Sequence, residues 1–303
     1  MLSEGRARTT PEPRVLAVAW VTLLLVSSLP DILWNEVVGG SSAWLYGAKL
    51  ALLAALFLAS FAWAPARALR SLFLLILILY LAEEVLSRLQ NTSRWWDAFP
   101  VDGSFTEAMA GIQLARVGVA LLMVLALFLV FRRRERFFLA VGDLRAPAAK
   151  EGVIIAEGTR WHRIGWVSAA AITSGTLAFL WLAGRPDPAQ FADVVPLLPM
   201  VLLFAATNAF GEELSYRAVL LAPLVPVVGN RQAILMAATY FGIAHYYGVP
   251  YGVIGVGMSF VLGYLLSKAM VETRGFLWPW FIHFLQDVAI FSFMAPGTVS
   301  PGG

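Results

Sequence analysis

Apolar runs of roughly twenty residues, separated by short turns rich in Gly, Pro and charge, set the pattern of this chain. They fall at residues 15–33, 43–63, 72–86 and 112–131, then at 164–183, 195–221, 232–247, 253–268 and 276–294. The pattern predicts an all-α, polytopic membrane bundle of eight or nine transmembrane helices, depending on how residues 183–199 divide. Gly39-Gly40 and Gly184-Arg185-Pro186-Asp187-Pro188 mark turns, and Pro223 with Pro226 ends the sixth run. Residues 87–111 read as a polar loop whose Trp95, Trp96 and Phe99 suit the headgroup zone. Three regions follow: four spans within 1–136, a cytoplasmic connecting loop at 137–163, and a C-terminal membrane region at 164–303.

Composition agrees. The 303 residues are 59% hydrophobic and 14% charged, against about a quarter charged in a soluble domain. The pI near 9.3 therefore reports loops beside anionic lipid, and nucleic acid is not an expected partner. Arg132-Arg133-Arg134-Glu135-Arg136, the densest basic run, reads as a stop-transfer and topology signal. With the N-terminus inside, cytoplasmic segments hold sixteen Lys and Arg, whereas outer loops hold three, Arg88, Arg94 and Arg185. That asymmetry predicts a cytoplasmic N-terminus; the membrane expected is a bacterial or archaeal inner membrane, which the asymmetry itself does not indicate. It leaves Lys49, Arg116 and Arg217 inside spans. The polar first 14 residues lead into a run without a small-x-small cleavage pattern, so the first span is read as retained. The absence of cysteine excludes disulfides, thiolate metal sites and cysteine nucleophiles.

Ionisable groups inside a bilayer are costly and tend to be functional. Residues 208–221, NAFGEELSYRAVLL, place Glu212, Glu213 and Arg217 in the sixth run. Glu213 and Arg217 are four apart and share a helix face, so they can pair. Glu212 is turned about 100° away and shares its stripe with Tyr216. A carboxylate buried without a cation is a natural general acid/base. Of the three histidines, His162 lies outside the later spans, His245 in the seventh run and His283 in the ninth, with Asp287 one turn beyond His283. At ~1.5 Å per residue, Glu212, His245 and His283 lie about 14, 20 and 10 Å into a ~30 Å core, so tilted helices can bring them level. Read singly, each histidine is as well a packing residue, Glu213–Arg217 a structural pair, and Asp287 an orienting partner of His283. Their conjunction on three spans is what points to a site. Glu83-Glu84-Val85-Leu86-Ser87-Arg88 repeats the Glu-Glu-x-x-x-Arg spacing at the end of the third run, without a histidine among the first 160 residues to complete it. It reads as interfacial.

Glu212-Glu213-x-x-x-Arg217, Phe241-x-x-x-His245 and His283-x-x-x-Asp287, in that order, resemble the CAAX protease and bacteriocin-processing (CPBP, or Abi) family of intramembrane endopeptidases. The resemblance covers roughly 195–295, with a weaker likeness at 138–144, and leaves the first four spans unexplained. It implies hydrolysis of a peptide bond in a membrane-associated protein or peptide. Glu212 would be the general base, His245 would position the water, and His283 with residue 287 would stabilise the oxyanion. Glu213 and Arg217 would hold the helix and its charge balance. Prenyl-processing members commonly carry Asn where this chain has Asp287; an ionised Asp donates poorly, so here it would be protonated, orient His283 or bind a cation. Two His and a Glu also form a plausible zinc set, Glu212, His245 and His283, although no His-Glu-x-x-His helix is present.

Two readings from other classes stand beside this one. Buried Glu, His and Asp with glycines at 242, 248, 252, 255, 257 and 263 also fit a proton- or ion-coupled transporter. A catalytically idle immunity or scaffold protein with the same fold is the other. A rhomboid-like serine site at Gly257-Met258-Ser259 lacks its second glycine, and an aspartyl site lacks a second membrane Asp.

Overall fold

The computed structural model of the chain describes residues 12–40, 42–92, 97–100, 103–151 and 155–297; Trp95 and Trp96 lie outside them. Among the described residues the chain is an all-α bundle, with no strand and two isolated bridges in the connecting loop. The N-terminal region holds α1 (Pro13–Val26), α2 (Leu29–Leu33), α3 (Ala43–Ala59), α4 (Ala64–Ala68), α5 (Arg70–Thr92) and α6 (Phe105–Phe131). The C-terminal region holds α7 (Trp161–Gly184), α8 (Leu198–Glu212), a π-helical turn (Glu213–Ala218), α9 (Val219–Ala244), α10 (Val253–Thr273) and α11 (Leu277–Met294).

Four stretches are long and apolar enough to cross a membrane, or five if the bent pair at the N-terminus is one span. The eight or nine expected spans are therefore not all matched, for identifiable reasons. The run Pro188–Ala244, broken at Gly229, holds two expected spans. Helix α3 is short, and α5 and α11 carry Glu83, Glu84, His283 and Asp287 within their length. The first expected span bends by 51° after Val26, with Pro30 at the head of α2. Pro223 and Pro226 sit inside α9 rather than ending a helix; the break falls at Gly229, whose φ of 76° is left-handed territory that suits a residue without a Cβ. The expected loop at 87–111 is also shorter, because α6 begins at Phe105. Ser104 and Glu107 form a capping box there, Glu107 accepting from the Ser104 N–H at 2.9 Å.

Packing ties the two regions together. Leu72, Ile76 and Leu79 recur on one face of α5 and are buried in a cluster that includes Leu220, Leu221 and Met236 of α9. Helix α6 lies against α8, and α11 lies against both α7 and α8. The Tyr80 hydroxyl meets Tyr240 at 3.0 Å and the Val26 carbonyl, joining α5, α9 and α1. Gly142 is packed on Gly275, and the backbone bonds Asp143 N–H to Thr273 O (2.8 Å) and Phe276 N–H to Ala140 O (2.7 Å) dock the connecting loop at the α10–α11 turn. At the other end of α10, the Tyr251 hydroxyl donates to Glu36 at 2.6 Å. The two cations left within spans by the topology argument, apart from Arg217, both have partners: Lys49 pairs with Asp31, and Arg116 of α6 reaches Glu212 of α8.

Candidate active site

The site is built where α8 ends. The helix widens into the π turn Glu213–Ala218, a rare local geometry often found at functional positions. Arg217 donates to Glu213 at 2.5 Å, both side chains being fully buried. The remaining guanidinium nitrogens of Arg217, Nε and Nη2, have no protein hydrogen-bond acceptor. Its charge lies instead over the Phe241 ring, 4.2 Å from the centroid. Glu213 also accepts from His283 Nδ1 at 2.7 Å, so it ties the π turn to α11 as well as to Arg217.

Glu212 faces elsewhere. Its Oε1 accepts from Asn208 Nδ2 at 3.2 Å and lies 3.6 Å from Arg116 Nη1; its Oε2 lies 3.6 Å from His283 Nε2. The side chain keeps 20% of its surface exposed, against 0% for Glu213 and 5% for Asp287. That exposed part opens on a cavity of about 280 Å³ shared by Glu83, Arg116, Ser215 and Tyr216. Asp287 Oδ1 stands 3.6 Å from His283 Nε2, while its Oδ2 accepts from Asn208 Nδ2 at 3.0 Å.

His245 caps the C-terminal end of α9. Its Nδ1–H donates to the Phe241 carbonyl at 2.8 Å, a bond that does not involve Nε2. Its ring packs 4.3 Å from that of Phe241, whose face also carries Arg217 and whose edge region meets His283 at 6.2 Å. Close approach of α10 fixes this corner: a Cβ at Gly242 would lie 2.9 Å from the Val256 carbonyl, and one at Gly263 would lie 3.0 Å from Phe241 Cδ1.

The structure thus gathers Glu212, Glu213, Arg217, His283 and Asp287 directly, with His245 joined to them through Phe241. It also supplies residues the sequence reading did not single out. Asn208 is the hub, donating to both Glu212 and Asp287 and accepting from Arg116 and from Gln113 (3.2 Å) of α6. Gln113 in turn accepts from Thr207 at 3.2 Å. An in-span Arg and Gln three residues apart on the fourth run was the available signal. Glu83 is the other. Glu84 and Arg88 pair outward at 2.5 Å, in keeping with an interfacial position, but Glu83 lines the cavity on which Glu212 opens.

A zinc ion on Glu212, His245 and His283 needs three donors around one point at ~2 Å each. Among the described residues no three His, Asp or Glu side chains are so grouped. His245 lies within ion-pair distance of no carboxylate there, and His283 Nδ1 is engaged by Glu213.

Neither a curated relative nor a solved structure matches the chain. A family model does, described as "Rce1-like: Type II CAAX prenyl endopeptidase Rce1-like", over residues 193–289. The match begins before α8 and ends within α11, enclosing Asn208, the π turn, His245, His283 and Asp287 and excluding α5 and α6. Over residues 193–289, roughly a third of its length, the chain is similar to the Rce1-like type II CAAX prenyl endopeptidase family, a likeness consistent with the CPBP family.

Proposed function

We propose that the chain is an intramembrane endopeptidase in which Glu212 is the general base for a hydrolytic water. The observation that carries this reading is the asymmetry of the acids. Glu213 and Asp287 are enclosed, whereas Glu212 is held by Asn208 and opens on the cavity while facing His283. In the proposed reaction Glu212 takes a proton as the water oxygen bonds to the scissile carbonyl carbon. The tetrahedral intermediate then collapses, the C–N bond breaks, and Glu212 returns the proton to the leaving amine. His245 Nε2, left free by the Nδ1–H bond to Phe241, is suited to accept from the same water.

His283 donates through Nδ1 to Glu213, and an imidazolium form presents Nε2–H where the oxyanion develops. The Asn208–Asp287 hydrogen bond supports an orienting role for Asp287 rather than that of a direct donor. Glu213 and Arg217 hold the π turn and its charge balance. The family description supports a membrane-held protein or peptide of the CAAX prenyl kind as substrate.

The test is cleavage of lipidated reporter peptides by the purified, reconstituted protein. Glu212→Gln and His245→Ala should each lower turnover by roughly 10²–10⁴-fold while folding and insertion are retained. Exhaustive chelation should leave the rate unchanged. Ion or proton flux abolished by the same variants, with no peptide cut, would overturn the proposal in favour of a transporter.

A further inference from the structure

We propose that Glu83 is a specificity-determining residue, a carboxylate on the wall of the catalytic cleft that takes a cationic group of the substrate peptide beside the scissile bond. The inference rests on the endopeptidase reading of Glu212 and extends it to a helix outside the matched region.

Three observations carry it. The first is placement. The α5 face that enters the core at Leu72, Ile76 and Leu79 continues, at helical spacing, through Glu83, Leu86 and Gln90, and these last three line the cavity. Glu83 is an exposed residue at the end of that face, where it lines the wall of the cleft. The second is pairing. Glu84 takes Arg88 as its partner on the outer side, while Glu83 makes no hydrogen bond or ion pair with any described residue. Arg116 lies within its electrostatic reach, but that guanidinium is directed to Asn208 and Glu212.

The third is charge. Besides the Tyr216 phenol, the acidic and basic side chains lining the cavity are Glu83, Arg116 and Glu212, so one carboxylate is left over once Arg116 has met Glu212. An uncompensated carboxylate in a cleft of a membrane protein favours a cation brought to it. In a cleft that ends at the catalytic carboxylate, the arriving group is a Lys or Arg side chain, or a free α-amine, of the peptide being cut. The ammonium and guanidinium share the chemistry required, and the position of the charge relative to the cut separates side chain from amine.

The experiment uses the full chain in proteoliposomes and a set of farnesylated reporter peptides identical but for one residue near the scissile bond. That residue is Lys, Arg, Gln or Glu at each flanking position, with a free or an acetylated N-terminus. Both binding and cleavage are read. The wild type should favour Lys or Arg over Gln by about tenfold in kcat/KM, carried by KM, the scale of one charge-assisted contact. Glu83→Gln should lose that preference and still cut the Gln peptide at the wild-type rate, and Glu83→Lys should favour the Glu peptide. A wild type that cuts all charge variants equally, or a Glu83→Gln variant that keeps the preference, overturns the proposal and leaves the peptidase intact. Charge-dependent binding that Glu83→Lys inverts, with nothing cut, would support the Glu83 site and sink the peptidase. Indifference in both binding and cleavage would sink both.

Discussion

Asn208 concentrates more of the candidate site's hydrogen bonding than any acid does. One amide joins Glu212 to Asp287 through its donors and collects Arg116 and Gln113 on its oxygen, so a single side chain fixes groups from α6, α8 and α11. An amide is suited to this because it donates and accepts at once, which neither a carboxylate nor a guanidinium can do. Asn208→Ala should lower kcat by roughly 10–100-fold, the scale of one or two hydrogen bonds to charged groups. Substrate binding should change little, and steady-state kinetics on the reporter peptide separates the two effects. Asn208→Asp places a third carboxylate between Glu212 and Asp287 and should do at least as much damage.

Between elements, small residues and the π turn decide the geometry. The extra width of the helix at Glu213–Ala218 lets Glu213 meet Arg217 and His283 on the enclosed side while Glu212, its neighbour, faces the cavity. Gly242 and Gly263 let α10 approach α9 until backbone and ring atoms of the two helices touch, which seats Phe241 beneath Arg217 and His245. Gly242→Ala would drive a methyl against the Val256 carbonyl at 2.9 Å. Helices in contact through their backbones cannot absorb this by a side-chain turn, so a loss of about 1–3 kcal/mol is expected. It should appear as a lower unfolding midpoint in detergent, accompanied by reduced turnover because His245 rides on the same turn. An unchanged midpoint would show that α10 is free to move.

Across the whole molecule, contacts at the two ends of α10 sort the connections into two sides. The loop at 137–163 docks beside Thr273 and Phe276, and Glu36 beside Tyr251. The distribution of Lys and Arg assigns the first side to the cytoplasm, which we propose as the orientation. The cysteine-free chain permits a direct check with single cysteines. Lys150→Cys should react with an impermeant thiol reagent only after the membrane is opened, and Ala189→Cys should react in intact cells. The opposite pattern would invert the topology and place the loop outside.

The sequence by itself determined the class of the molecule and the identity of most candidate residues. Apolar runs of span length require backbone hydrogen bonds to be satisfied within helices, and the i, i+4 spacing of Glu213 and Arg217 makes their pairing a local matter. The capping box at Ser104 is equally local, though the reading of residues 87–111 as a loop passed over it. What lay beyond it were properties that depend on neighbours distant in sequence. The π turn, the bend at Gly229 and the number of helices apolar enough to span were set by packing and by where polar groups fell. The hub role of Asn208 and the entry of Arg116 and Gln113 required α6 to be laid against α8. Glu83 shows the limit most clearly. Its motif matches that of Glu212 residue for residue in spacing, yet whether a carboxylate faces water, lipid or a cleft is decided by which helices close around it. Spacing along one chain fixes a residue's face on its own helix, and tertiary packing alone fixes what that face looks upon.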